Sequence, residues 1–312
     1  MRKILLSLLA AVLLGYAAIW AVPPLHLLVA ESVLTSRHHG LAWLVATTAQ
    51  QKAWSAEWAQ TPDLKVVTPV DSAALLRDAA LGISLHAVSG SHYEGWVLLV
   101  HNPNMLRVAL TKQLGKVGEQ TSTFGAEAGA IAAINGGGFS DPEGEGTGGL
   151  PTGVTVVRGH AMTFPDDGSD YTIGFDGSGR LLVGKWTLPQ VRALGITEAV
   201  SFKPLLVVGG RPQITQGDGG WGLAGRTAIG QRSDGTVIFA VIDGRQPASL
   251  GATLRQVQDL MLAEGAATAV NLDGGSSTAL WYRGKLVNHP CCSPNGQRYI
   301  PTAWLVVPPA GR

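Results

Sequence analysis

The stretch Ala266–Thr278 constrains the fold more than any other: an apolar run halts in Asn271-Leu272-Asp273-Gly274-Gly275, followed by Ser276, Ser277 and Thr278. A short apolar run bounded by glycines reads as a buried strand. Glycine has no Cβ, so the backbone can turn sharply there and a ligand can approach its N–H groups. Taken alone, Asp-Gly-Gly is a strand followed by a tight turn. It gains weight because the same punctuation recurs. Ala130–Ile134 stops at Asn135-Gly136-Gly137-Gly138, Leu205–Val208 at Gly209-Gly210, and Thr236–Ile242 at Asp243-Gly244-Arg245. The 41 glycines mark separate turns rather than a low-complexity run, which implies many short strands.

Helical patterns are fewer. Thr253 and Gln256 form a capping box, Leu254, Val257, Leu260 and Met261 share a face, and Gly265 ends the helix. Thr121–Ala130, rich in alanine, reads as a second helix. The fold class expected is α+β, a mixed β-sheet core with flanking helices. Thr236–Asp243, the capped helix and Ala266–Asp273 read as strand–helix–strand. If the two strands are parallel, Asp243 and Asp273 emerge at the same edge of the sheet. That step makes them a candidate pair.

Arg2 and Lys3 precede an almost purely apolar run from Ile4 to Val22, the pattern of a signal peptide or signal anchor. Its length approaches the roughly 20 residues that span a bilayer. Trp20 and Pro23-Pro24 spoil a small-residue cleavage site, so an uncleaved membrane-anchor helix with the remainder exported is the expectation. Glu31–Gln60, with Trp43, Trp54 and Trp58, reads as a helical stalk ended by Thr61-Pro62-Asp63. The chain then divides into 1–22 (signal or anchor), 23–63 (stalk) and 64–312 (the main domain). Lys+Arg 23 against Asp+Glu 22 lacks the basic excess of a nucleic-acid binder. The two cysteines, Cys291 and Cys292, are adjacent and are expected as free thiols, with a strained vicinal disulfide as the alternative. With His289 they make only a weak metal signal.

Asn135-Gly136-Gly137, Arg226-Thr227-Ala228-Ile229-Gly230, Asp243-Gly244-Arg245 and Asn271-Leu272-Asp273-Gly274-Gly275, in that order, resemble the phosphodiester glycosidase family, which includes the uncovering enzyme. The likeness runs from about Ala80 to Val307. Two positions depart from the family: Gly138 stands where an aromatic is usual, and Ser276 where a third glycine is frequent. Both bear on sugar specificity more than on reaction class. The resemblance implies hydrolysis of a sugar-1-phosphodiester at C1–O, with a carbohydrate phosphodiester as partner. It implies no cofactor and leaves a divalent cation open.

The chemistry is consistent with those residues. A phosphate leaves readily, so a strong general acid matters less than in ordinary glycosidases, which use two carboxyl groups. A cation at the phosphate matters more, and the arginine fork pairs two phosphate oxygens at once. Arg226 and Arg245 are the candidates, with Arg226 ranked ahead; a salt bridge to Asp243 or Asp273 is the plain alternative. Asp273 is read as nucleophile or base and Asp243 as its partner or a sugar ligand, with the reverse assignment open. Asn135 and Asn271 suit sugar hydroxyls or phosphate. Gly136, Gly137, Gly274 and Gly275 can offer N–H groups as an anion nest. Thr152 and Ser276 add hydroxyls, or simply bond their own turns. A non-catalytic glycan-binding or surface-polymer assembly module on the same scaffold is the competing reading.

Overall fold

The computed structural model describes residues 2–36, 38–59, 62–70, 82–141, 149–166 and 168–308. Gln60, Thr61 and Ala80, which mark the expected stalk boundary and the start of the likeness, lie outside those residues. The strand Val237–Ile242 shows how the architecture arises. Val237, Phe239 and Val241 enter one hydrophobic cluster, while Ile238, Ala240 and Ile242 enter another. Successive strand side chains point to opposite faces, so an unbroken apolar run means a sheet covered on both sides.

Among the described residues that sheet has seven strands. Their order is Arg211–Pro212, Leu205–Val208, Thr268–Leu272, Arg226–Gln231, Val237–Ile242, Glu94–Val100 and Ile83–Ser89. On one face the first cluster joins it to a six-stranded sheet through Ile173 and Phe175, and to a five-stranded sheet through Trp304. On the other face lies the helix Leu254–Ala263, which buries Leu254, Val257 and Met261. Its capping box is present: Gln256 N–H donates to Thr253 Oγ1 at 3.2 Å and Thr253 N–H to Gln256 Oε1 at 2.9 Å. The result is α+β.

Arg226–Gln231 lies between Val237–Ile242 and Thr268–Leu272 and is antiparallel to both. The two outer strands therefore run the same way without pairing. Asp243 and Asp273 follow their carboxyl ends, at one edge of the sheet.

Among the described residues three helices precede the sheets: α1 (Arg2–Ala21), α2 (Pro23–Leu34) and α3 (Thr48–Ala59), with a 3-10 turn at His39–Leu44. The expected continuous helix from Glu31 is thus broken. The Thr35 and Ser36 hydroxyls donate to Glu31 O and Val33 O, closing the last turn of α2. No single helix among the described residues is long and apolar enough to cross a membrane. Ser7–Ala21 and Pro23–Leu34 pass together, bent by 104°. Helix α2 rests on the main domain, where Ser32 Oγ accepts from Leu223 N–H at 2.9 Å and Thr35 Oγ1 lies 3.3 Å from Trp221 O. Cys291 and Cys292, expected as free thiols, are joined to each other in a disulfide. A bridge between neighbours staples no distant parts of the fold.

Candidate active site

The Thr268–Leu272 strand delivers Asp273 to a cavity of about 400 Å³, a size that suits a small ligand. Just past it the chain reverses: Gly275 takes a left-handed φ of 60° and its N–H donates to Gly225 O at 2.7 Å. That turn ties the Asp273 loop to the residues preceding Arg226. Of the residues anticipated from sequence, Arg226, Arg245, Asn271, Asp273, Gly274, Gly275 and Ser276 line this one cavity.

Asn135 is placed differently. It is fully buried and serves as a junction between strands. Its Nδ2 donates to Asp273 O at 2.5 Å, and its Oδ1 accepts from Thr227 Oγ1 at 2.7 Å and Ala279 N–H at 3.2 Å. The amide thus holds the backbone of Asp273 rather than facing the cavity. Gly136 and Gly137 lie behind it, packed so tightly that a Cβ on Gly136 would come within 2.4 Å of Thr302 Oγ1. Thr152 donates its hydroxyl to Asp170 Oδ2 at 3.2 Å. Asp243 is also directed elsewhere. Its Oδ1 accepts from Asn288 Nδ2 at 2.8 Å, and both oxygens accept from His289 N–H at 3.0 Å. Asp243 and Asp273 share a sheet edge, yet only Asp273 lines the cavity.

Arg226 is 4% exposed, and three backbone carbonyls hold it. Nε donates to Ala252 O at 3.0 Å, and Nη2 to Trp221 O at 2.9 Å and Gly222 O at 2.7 Å. It forms no salt bridge to Asp243 or Asp273 among the described residues. Burial, and then the charge of Arg245, lower its pKa to about 9, against the pull of Asp218 and Glu31. It remains a cation at neutral pH. An anion placed between the two arginines would relieve their repulsion.

Burial raises the Asp273 carboxyl above its ordinary value, and the charge of Arg298 works against that rise. Asp273 Oδ2 and Asn271 Oδ1 are buried without hydrogen-bond partners among the described residues. An unpaired buried acceptor costs about 1–3 kcal/mol, so both oxygens favour a ligand that brings hydroxyl donors. The lining therefore combines acceptors with cations.

Sequence reasoning missed Arg298, Lys203 and the aromatic wall of Trp58, Trp221 and Phe202. Arg298 pairs with Asp141, donates to Ser276 Oγ at 3.2 Å and stacks over Phe139 at 4.7 Å. Lys203 lies 3.7 Å from Asp170, and its carbonyl accepts from Asn271 Nδ2 at 3.0 Å. The available signal was their position beside turn residues, Lys203-Pro204 after a strand and Trp221 after Gly219-Gly220. Trp58 comes from α3 and carried no such signal.

Comparisons with known proteins agree with this architecture. The profile of the phosphodiester glycosidase family matches residues 128–307. The catalytic domain of zebrafish N-acetylglucosamine-1-phosphodiester alpha-N-acetylglucosaminidase, auto-inhibited by pro-peptide, superposes with a TM-score of 0.63 at 19% identity, over 78% of this chain and 88% of that one. A Burkholderia pseudomallei protein described as exported gives 0.50 at 20% identity, over 69% and 74%. The uncharacterized SPbeta prophage-derived protein YomE of Bacillus subtilis is 45% identical over 64 residues, which is 20% of this chain and only 10% of that protein. The profile spans more than half of the sequence, including all four strand-end motifs, and the chain belongs to the phosphodiester glycosidase family.

Proposed function

We propose that this chain is an exported hydrolase, tethered through its N-terminal apolar segment, that cleaves the C1–O bond of a sugar-1-phosphodiester in a glycan or glycolipid. The observation that carries the reading is the composition of one cavity. Asp273 and Asn271, each with an unpaired side-chain oxygen, line the same cavity as Arg226 and Arg245. The acceptors suit sugar hydroxyls, and the cations suit the phosphate.

In this scheme the C1–O bond breaks with its electron pair passing to the phosphate oxygen. Arg226 and Arg245 neutralise the charge that develops there. A water oxygen becomes bonded to C1. Asp273 acts at the anomeric carbon, either as the nucleophile of a two-step reaction or by taking the proton from water. The departing phosphate diester becomes a monoester and needs little help from a general acid. That agrees with a site whose second motif carboxylate, Asp243, is engaged with Asn288 and His289.

The test is hydrolysis of N-acetylglucosaminyl and glucosyl 1-(methyl phosphate) by the purified chain in H2(18)O. Label in the released sugar supports cleavage at C1–O, and label in the phosphate indicates P–O cleavage instead. The aromatic wall of Trp58, Trp221 and Phe202 suits sugar stacking and favours a glycan-binding module as the second reading. Tight binding of the intact diester without turnover would select it.

A further inference from the structure

A second cavity, of about 330 Å³, adjoins the candidate active site, and Arg245 lines both. Its wall is apolar: Leu28, Val29 and Val33 of α2, Leu223, and the Cys291–Cys292 disulfide at Cys292. The two hydroxyls in it are already satisfied. Ser32 donates to Leu28 O at 2.7 Å and accepts from Leu223 N–H at 2.9 Å. Ser36 donates to Val33 O at 2.8 Å and accepts from His38 N–H at 3.0 Å. Besides these hydroxyls and the His38 imidazole, the groove offers hydrocarbon contact, with one guanidinium at its junction with the catalytic cavity.

Helix α2 runs along both spaces, with Leu34 at the first and Leu28, Val29, Ser32 and Val33 at the second. At its other end it joins α1, where Leu8, Val12, Leu13 and Leu14 are each more than half exposed. Polarity thus changes from a cavity that holds acceptors and arginines, across the shared Arg245, to an apolar trough beside an apolar helix.

An amphiphile with a sugar, a phosphate and a hydrocarbon chain has that same order of parts. Resting on the reading of the site given above, we propose that the substrate's group beyond the phosphate is a lipid: a glycosyl-1-phospho-lipid whose first methylenes lie in the groove, with Arg245 at the phosphate. The same bond breaks as before, releasing free sugar and a lipid monophosphate. The groove selects for tail length, because each methylene removed from water strengthens binding by about fourfold.

The experiment compares methyl, hexyl and decyl phosphate, below their micellar concentrations, binding to the full chain by calorimetry. The expected result is an affinity that climbs at least tenfold from methyl to decyl. In Leu28→Gln, and separately in Leu223→Gln, that ratio should fall at least fivefold. Two variants on different elements guard against one that misfolds. Affinity independent of chain length would overturn the proposal. So would a length dependence that survives in both variants, because it would then belong to the exposed surface of α1. Turnover of the methyl and decyl sugar-1-phosphodiesters separates the two ideas. Hydrolysis without any length effect removes the lipid and keeps the hydrolase. Length-dependent binding without hydrolysis of either removes the hydrolase and keeps the groove.

Discussion

Replacing Glu31 with glutamine should stabilise the protein at alkaline pH and flatten its pH dependence. Glu31 lies on the face of α2 that docks on the main domain, and it is 3% exposed. The groups around it are Asp218 and Glu57, the Gly222 N–H and, at longer range, the Arg226 guanidinium. Burial, then the charge of Asp218 and a hydrogen bond shared with it, push the Glu31 pKa from 4.5 to about 8. Gly222 opposes the rise and Glu57 adds to it. The sign follows from linkage. The folded chain binds this proton more tightly than the unfolded one, so the stabilisation is complete below about pH 4.5. It drains away as the pH climbs through about 8. Each pH unit within that window costs at most ~1.4 kcal/mol. Without screening, pH 7 would be about 3 kcal/mol less favourable than pH 4.5. Glu31, Asp218 and Glu57 all border an open cavity, and water there reduces the loss to about 1–2 kcal/mol. Urea unfolding of the full chain between pH 5 and pH 9, followed by tryptophan fluorescence, reads it directly, since Trp58 and Trp221 line the same cavity. Wild type and Glu31→Gln should nearly agree at pH 5, and at pH 9 the variant should be more stable by at least the roughly 1–2 kcal/mol reached at pH 7. Parallel pH curves would show that the two carboxyls do not share a proton, and the reasoning would fall.

Two further outcomes follow from the Asp273 loop. Asp273→Asn should abolish turnover of sugar-1-phosphodiesters while leaving the chain folded, and in wild type the acid limb of kcat/KM should lie above the ordinary aspartate value of 3.8 because burial raises this carboxyl. Wild-type activity in that variant would remove Asp273 from the mechanism. Asn135→Ala should cost about 2–4 kcal/mol in denaturant unfolding and also lower kcat, because it strands Thr227 Oγ1 and Ala279 N–H and frees the Asp273 carbonyl. A loss of kcat with no loss of stability would instead indicate that Asn135 touches substrate.

Strand ends were legible in the sequence because glycines and amides interrupt apolar runs, and that punctuation is local. The direction in which each polar side chain points is not local. Asn135, Asp243 and Asp273 look alike as polar residues at the ends of apolar runs, yet the side-chain partners of Asn135 and Asp243 lie at least 92 and 45 positions away, while the Asp273 carboxyl interacts within its own turn, with Ser277 and Gly274. Asn135 turns inward because Thr227 and Ala279 present a donor pair that only the assembled sheets bring together. Asp243 turns to the Asn288 side-chain amide and the His289 N–H, in a loop with no periodic signal. Arg298 and Lys203 escaped notice for the same reason: a lone basic residue in a loop resembles any solvated surface charge until tertiary packing encloses it. Trp58 belongs to a segment read as a stalk, and only docking of α3 carries it to the cavity.

The arginines differ in placement, since Arg226 lines one cavity and Arg245 lines both, and this decides which one meets the phosphate. Arg226 is engaged with three carbonyls, and only Nη1 makes no hydrogen bond among the described residues. It is a fixed charge. Arg245 lies on a left-handed backbone with φ 58°, a conformation that costs a non-glycine residue of order 1 kcal/mol. A chain that tolerates this strain at the junction of two cavities gains a guanidinium placed there. Arg245→Gly removes the charge and relieves the left-handed backbone together, so the expected outcome is a chain that still folds, with KM for a methyl sugar-1-phosphodiester raised at least tenfold. Arg226→Lys should instead lower the melting temperature, because an ammonium cannot serve carbonyls of Trp221, Gly222 and Ala252 in the same fork. If Arg245→Gly left KM untouched, the strained arginine would have no part in binding, and the phosphate would have to be assigned to Arg226 and Arg298.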